Sequence, residues 1–348
     1  MHIEQYTDAI RNCRFCFMCR HLSGVGNVTF TEADTPRIRA SLIYGLTAKP
    51  EGWSDPDFID TIYRSDLSAA CRRNCVNHYD ENGLNLAARA DIVEKGLAPE
   101  YVKQAAAKLD AMGAWQVAGD GEVVYLADRY SVEAGADKAF AKIMAAKGMK
   151  YRTVSGGCLG KGLKILGFLA DAKRKAEEFA AFVGKLGAKT VVVSNPAAYD
   201  ALVNDYKEFG AAIEAKVMHT SEYILSLAPA FARKAGDVYY LESDYLRNYC
   251  GDYEFPHKLL ETLGAVNRPF GTNDEESYGC GEGAVLLPEF DADLVKELAE
   301  YVAERADHPE TDVIVTASPY TKIQLGKYTC LKVVTLEEFA AQALSRSP

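Results

Sequence analysis

The sequence predicts a mostly α-helical N-terminal domain followed by two copies of one α/β unit, packed about a pseudo-two-fold axis. Three observations carry this. Cysteines crowd the first 75 residues, where no run alternates as a half-buried strand does. From about residue 121 onward, β-branched runs alternate with amphipathic helical stretches, the pattern of parallel α/β units with right-handed crossovers. Motifs also recur in the same order and spacing in residues 120–228 and 236–342.

In the first 110 residues, Asp34 or Thr35 caps a helix that opens on Pro36 and is expected to stop at Gly45. A loop with Pro50, Gly52 and Pro56 leads to a helix over 57–70, and a third helix spans 83–94 and ends at Gly96. Further on, strands are expected at 122–126, 151–154 and 190–193. The last of these, Thr190-Val191-Val192-Val193, is a continuous β-branched run of the kind buried on both faces. Helices are expected at 137–147 and 169–186, ending at Gly148 and Gly187.

The internal repeat is specific. The stretch from Val124 to Tyr130 echoes Tyr239 to Tyr245, and Gly157-Cys158 echoes Gly279-Cys280. Asn195-Pro196 echoes Ser318-Pro319, and the separations Cys158 to Asn195 and Cys280 to Ser318 are nearly equal.

At 348 residues the chain has room for about two or three domains, each with its own core. A formal net charge of −10, with no basic stripe to offset it, argues against nucleic acid as a partner. No secretory leader and no apolar run of membrane-spanning length is visible, so the expected location is the cytoplasm, with no direct membrane span. Nine cysteines in such a chain are read as metal ligands before disulfides.

Cys13, Cys16 and Cys19 form C-x2-C-x2-C, which on a turning backbone points three thiolates at one place, and Cys75 in Cys71-x3-Cys75 is the best fourth ligand. A single [4Fe–4S] cluster on Cys13, Cys16, Cys19 and Cys75 is the expected cofactor. A half zinc site or a chance run is the alternative, but zinc sites use C-x2-C with a distant second pair. Arg14, Arg20, Arg72 and Arg73 fit a cluster of net negative charge, or are solvated surface. Phe15 and Phe17 are expected to shield the cluster from water.

These residues resemble the iron–sulfur subunits of glycolate oxidase, D-lactate dehydrogenase-type enzymes and heterodisulfide reductase. That family carries C-x2-C-x2-C-x3-C-P twice in an α-helical ferredoxin-like domain, here 1–110. The first motif aligns as Cys13, Cys16, Cys19 and Ser23, the second as Ser65, Ser68, Cys71 and Cys75. The resemblance assigns Cys13, Cys16, Cys19 and Cys75 to one intact cluster; the second would need positions 23, 65, 68 and 71, three of which are serine, and is lost. The repeats, 120–228 and 236–342, resemble the family's cysteine-rich CCG-type α/β units, stripped of their ligands: Asp128 and Asp244 stand where the leading cysteine belongs.

Cys158 and Cys280 either face each other and hold a small molecule, or are small buried hydrophobes, the ordinary state of lone cysteines. The neighbouring glycine-rich turns lack dinucleotide or P-loop spacing and are expected to allow close backbone approach. Cys250 and Cys330 are expected to be structural.

The resemblance implies an electron-transfer subunit without catalytic residues of its own. Its partner would be an FAD-dependent oxidoreductase subunit acting on a small organic substrate, with FAD on that partner alone. The acceptor would be a redox protein or a quinone. The alternative is a structural or assembly subunit whose cluster is a fold staple.

Overall fold

The computed structural model describes residues 1–13, 16–72, 75–227, 236–251, 253–271 and 278–344. Residues 1–115 form helices and short 3-10 turns, with no strand among the described residues. Thr35 is the N-cap and Pro36 the first residue of the helix Pro36–Ala48. The helix overruns the expected stop at Gly45. Burying Ile43 and Leu46 outweighs the roughly 1 kcal/mol that an interior glycine costs.

The next helix, Pro56–Tyr63, is capped by Asp55 and stops well short of the expected residue 70. Its reason lies across the fold, in Arg89 of the helix Glu81–Glu94, which is fully buried. The Arg89 guanidinium donates to the carbonyls of Ile62 (2.9 Å), Ser65 (3.2 Å) and Ile165 (3.1 Å). Continuing the helix would need the Ile62 carbonyl for its own ladder. Freed from the helix, residues 65–69 form an irregular segment, with Leu67 and Ala69 at positive φ.

That segment is clamped from the second α/β unit and from the helix Glu81–Glu94. Asn248 Nδ2 donates to the Ser68 carbonyl (2.8 Å), while the Tyr249 hydroxyl (2.5 Å) and Asn82 Nδ2 (2.8 Å) donate to the Leu67 carbonyl.

The remainder alternates strand and helix. Five strands, β1 (Gln116–Gly119), β2 (Val123–Ala127), β3 (Arg152–Ser155), β4 (Thr190–Val193) and β5 (Lys216–His219), lie in the order β1-β3-β2-β4-β5. All neighbours are parallel except β1, an exposed antiparallel edge. A second, parallel sheet has the order β6 (Tyr239–Leu241), β7 (Val313–Thr316), β8 (Lys332–Thr335). In strand order β6, β7 and β8 correspond to β2, β4 and β5. Where a partner to β3 would stand there is one isolated parallel bridge, Val238 to Asn267.

The helix Leu169–Leu186 matches its expected bounds and buries Ala172, Ala176, Phe179 and Val183 on one stripe.

The two units pack through reciprocal helix pairs. Leu336–Leu344, after the last strand of the second unit, lies on Ala136–Ala146, after the first strand pair of the first. Thr220–Ser226 lies on Phe255–Thr262 in the converse sense. Pro319–Tyr328 meets Arg129–Ala134, and Pro196–Asp200 meets Tyr245–Tyr249. Among the described residues no helix is long and apolar enough to cross a membrane.

Candidate metal centre

Five cysteines, Cys13, Cys16, Cys19, Cys71 and Cys75, line one pocket of about 30 Å³, together with Arg37 and Tyr79. The fold brings them there from two segments. Cys13 ends the helix Thr7–Asn12 in an extended conformation, and its N–H closes on the carbonyls of Ala9 and Ile10 (3.2 Å each). Cys19 sits in the turn that Arg20 N–H closes on the Phe17 carbonyl (3.0 Å). Cys71 lies in a 3-10 turn, Ala70–Arg72, at the end of the clamped segment.

Two sulfurs accept backbone N–H groups. Tyr79 N–H points at Cys75 Sγ (3.4 Å), and Arg37 N–H bonds Cys19. Arg37 is the second residue of the helix Pro36–Ala48, so the positive end of that helix faces the Cys19 sulfur and favours its thiolate. Burial works the other way. The Cys19 thiol is pushed up to about 11, first by desolvation, with Glu81, Cys13 and Cys16 adding. Cys71 is pushed well above the ordinary thiol range by burial, then by Glu81 and Cys19. Converging, mutually repelling thiols become thiolates together only when a cation supplies the counter-charge.

The sulfur spacing bears on which cation. Among the described residues, one trio of His, Cys, Asp or Glu ligand atoms lies within 4.8 Å of one another, and it is His2, Asp91 and Glu94 at the surface. Four thiolates on one zinc, at about 2.3 Å each, would stand roughly 3.8 Å apart. Among the described residues, no three of the five cysteine sulfurs around the pocket make that approach.

The flanking groups differ from expectation. Phe17 is 68% exposed and does not shield the pocket; Arg37 stacks on its ring at 4.1 Å. Phe15, Arg14 and Arg73 lie outside the described residues. Arg20 and Arg37 share Glu32 (2.6 Å each), and Arg72 lies 3.6 Å from Asp80. Bonds from Arg37 and then Arg20 hold the Glu32 carboxyl below its usual range. Charge from these arginines is therefore largely balanced locally, and Tyr79, 5% exposed, provides the inner apolar wall.

Positions 23, 65 and 68 are buried serines making local bonds. Ser23 Oγ donates to the Asp34 carbonyl (3.0 Å) and accepts from Gly26 N–H (3.2 Å), and Ser65 Oγ accepts from Leu67 N–H (3.3 Å). Beside them lies a buried ion pair, Arg39 Nε to Glu81 Oε1 at 2.5 Å, with Arg39 also bonded to the Asp34 carbonyl (2.8 Å). Asp66 is buried close by, its carboxyl raised by desolvation against the pull of Arg39.

In the α/β units, Asp128 follows β2 and caps Arg129–Ala134, while Asn195 follows β4 and caps Pro196–Asp200. Asn195 Nδ2 donates to Asp128 Oδ2. Cys158 is 7% exposed, accepts from Gly160 N–H (3.4 Å) and lines a cavity of about 530 Å³ between the two units. Cys280 is fully buried, and its thiol is held well up by desolvation, then by Asp244 and Glu282. It is not among the residues lining that cavity, so the two cysteines do not share one small-molecule site.

Close approach is real at the glycine turns. A Cβ on Gly160, at φ +88°, would come within 2.5 Å of the Ala172 carbonyl, and one on Gly283 within 2.1 Å of the Leu67 carbonyl. Cys250 packs near Asp200 and Asn204 (3.9 Å each), and Cys330 is exposed. The spacing of the sequence points to Cys13, Cys16, Cys19 and Cys75 and gives Cys71 no role, yet Cys71 stands in the same pocket.

No protein-family model matches the chain. No curated protein matches it. Among solved structures, a hypothetical protein from Helicobacter pylori matches with a TM-score of 0.59 at 9% identity, covering 100% of this chain and 76% of that one. A putative Asp/Glu racemase from Yersinia pestis (13% identity, 65% of this chain and 98% of that one) has a TM-score of 0.32. Glutamate racemase from Aquifex pyrophilus (16% identity, 64% and 82%) has a TM-score of 0.31. The two racemase scores are too low to argue from, and the Helicobacter pylori likeness is one of fold alone.

Proposed function

We propose that this chain is an iron–sulfur electron-transfer subunit, with an α-helical ferredoxin-like domain and two degenerate CCG-type α/β units about an approximate two-fold axis. The observation that carries the reading is the convergence of Cys13, Cys16, Cys19, Cys71 and Cys75 on one pocket. The reciprocal helix pairs between the α/β units support their two-fold relation.

A [4Fe–4S] cluster bound on Cys13, Cys16, Cys19 and Cys75 would supply one-electron transfer. The chain's own part is to hold and tune it. N–H groups of Tyr79 and Arg37 bond two of the sulfurs and favour the reduced, more negative state. Tyr79 limits water on the inner side, and the clamp on residues 65–69 fixes the adjoining turn Ala70–Arg72, with Cys71, to the second α/β unit. Cys71 is a fifth thiol that lines the pocket without ligating. The reading places the protein in the cytoplasm beside an FAD-dependent oxidoreductase subunit, passing electrons to a redox protein or a quinone.

Anaerobic purification tests this. The protein should carry about four irons and four sulfides per chain and give a paramagnetic signal on reduction with dithionite. Cys13→Ser or Cys75→Ser should remove most of the iron, and Cys71→Ser should leave it. Iron retained in Cys75→Ser but lost in Cys71→Ser would refute the ligand set, and an iron-bearing protein that dithionite does not reduce would make the cluster a fold staple.

A further inference from the structure

The cavity of about 530 Å³ is independent of the cysteine pocket. It opens at the carboxyl ends of β2, β3 and β4, where the chain leaves β2 for strands on either side of it, the place at which parallel α/β sheets take their ligands. Its volume falls in the range of small-molecule sites, roughly 300–1,000 Å³. We propose that it binds a small organic molecule, mostly apolar and neutral or cationic, whose single hydrogen-bond donor meets Asp128.

Each part of that description has its residue. Trp115 closes one side of the cavity. Its indole is packed at 4.5 Å against Phe179 and lies over Gly157, where a Cβ would come within 2.3 Å of the ring. Glycine at that position, at φ +56°, is what lets the indole lie there. Asp128 is the polar end. Oδ1 accepts from Ser131 N–H (2.8 Å) and Ser131 Oγ (2.5 Å), and Oδ2 accepts from Asn195, which leaves Oδ2 one acceptor position.

The basic residues on the lining are already engaged. Lys161 is bound by Asp200 and by Asp205 (2.9 Å), and Arg129 reaches Glu289 (3.0 Å). An anion would therefore meet Asp128 without a free counter-charge, so the ligand is neutral or positive.

The second unit provides an internal comparison. Gly281 begins its turn at φ +91°, as Gly160 does at φ +88°, but the next residue is Glu282 instead of Lys161. The Glu282 carboxylate turns inward and fills the corresponding place, accepting from Ser243 Oγ (3.0 Å) and Asp244 N–H (2.6 Å). Lys161 turns away to its two aspartates, and the space stays open.

Calorimetric titration of the full chain with naphthalene probes at pH 7 tests the proposal. We expect one molecule of 2-naphthol to bind per chain, 2-methoxynaphthalene to bind at least tenfold more weakly, and 2-naphthoate not to bind. Asp128→Asn keeps the helix cap and should bring 2-naphthol down to the level of its methyl ether. Val132 is 46% exposed and lines the cavity, so Val132→Trp should block it without demanding core space, abolishing both titrations.

No binding of 2-naphthol, tighter binding of 2-naphthoate, or binding unchanged in Val132→Trp would overturn it. Cys13→Ser should bind the probes like the parent chain, so failure here and failure of the cluster are separate results.

Discussion

Replacing Glu81 by Gln strikes the buried pair next to the cysteine pocket while keeping the side chain's shape. Arg39 and Glu81 are 3% and 4% exposed, so water screens the pair little. Two unit charges about 4 Å apart between centres attract by about 4 kcal/mol at an effective dielectric of about 20. The amide retains a hydrogen bond worth about 1 kcal/mol. The net loss is then about 3 kcal/mol, at the lower end of the 3–5 kcal/mol typical when one partner of a buried pair is removed.

For a chain of this size that corresponds to a fall in Tm of roughly 6 °C, at about 2 °C per kcal/mol. Differential scanning calorimetry at pH 7 reads it directly. The double variant Arg39→Met, Glu81→Leu should melt closer to the parent than Glu81→Gln does, because no charge is left stranded. A single variant melting within about 1.5 °C of the parent, or a double variant worse than the single, would refute the argument. Glu81 also raises the Cys19 and Cys71 thiols, so Glu81→Gln should ease thiol ionisation at the pocket.

His219 is fully buried and pushed down to about 4 by desolvation, so between about pH 6.5 and 4 the unfolded chain binds a proton that the folded chain refuses. Its share of stability is intact above pH 6.5 and falls by about 3 kcal/mol by pH 4; denaturation of His219→Gln should lack that component of the pH slope. Glu282, pushed up to about 7 by burial, acts in the opposite sense between about pH 4.5 and 7, so the difference between parent and variant is the quantity to measure. Gly283→Ala puts a Cβ against the Leu67 carbonyl, and since backbone must move, a loss of about 3 kcal/mol is expected; under the proposed cluster, iron content should fall as well, because the adjoining turn Ala70–Arg72 shifts. Full iron and an unchanged Tm in Gly283→Ala would count against that coupling.

Local chemistry was legible where it is self-contained. The helix Leu169–Leu186 and the strand Thr190–Val193 fall at their expected bounds, because a helix-period stripe ending in a left-handed Gly187 and a β-branched run fix themselves with few distant contacts. The helix expected over 57–70 did not, since its end at Tyr63 is decided by Arg89, which takes carbonyls that local propensity assigns to the helix. Likewise Gly45 reads as a stop until the burial of Leu46 is known.

Sequence spacing by itself pointed to Cys13, Cys16 and Cys19 as neighbours, because three residues per step on a turning backbone leaves little choice, and all three line one pocket. It also pointed to two similar units, each with an aspartate and an Asn-Pro or Ser-Pro step at matching places, and the structure makes Asn195 and Ser318 helix caps. Only the tertiary structure decided that Cys71 joins the pocket and that Phe17 stays outside it. It also decided that one strand-end site is open while its counterpart is filled by Glu282. Those outcomes depend on which way a side chain turns to find a partner far along the chain, as Lys161 finds Asp200 and Asp205, and no local pattern encodes that choice.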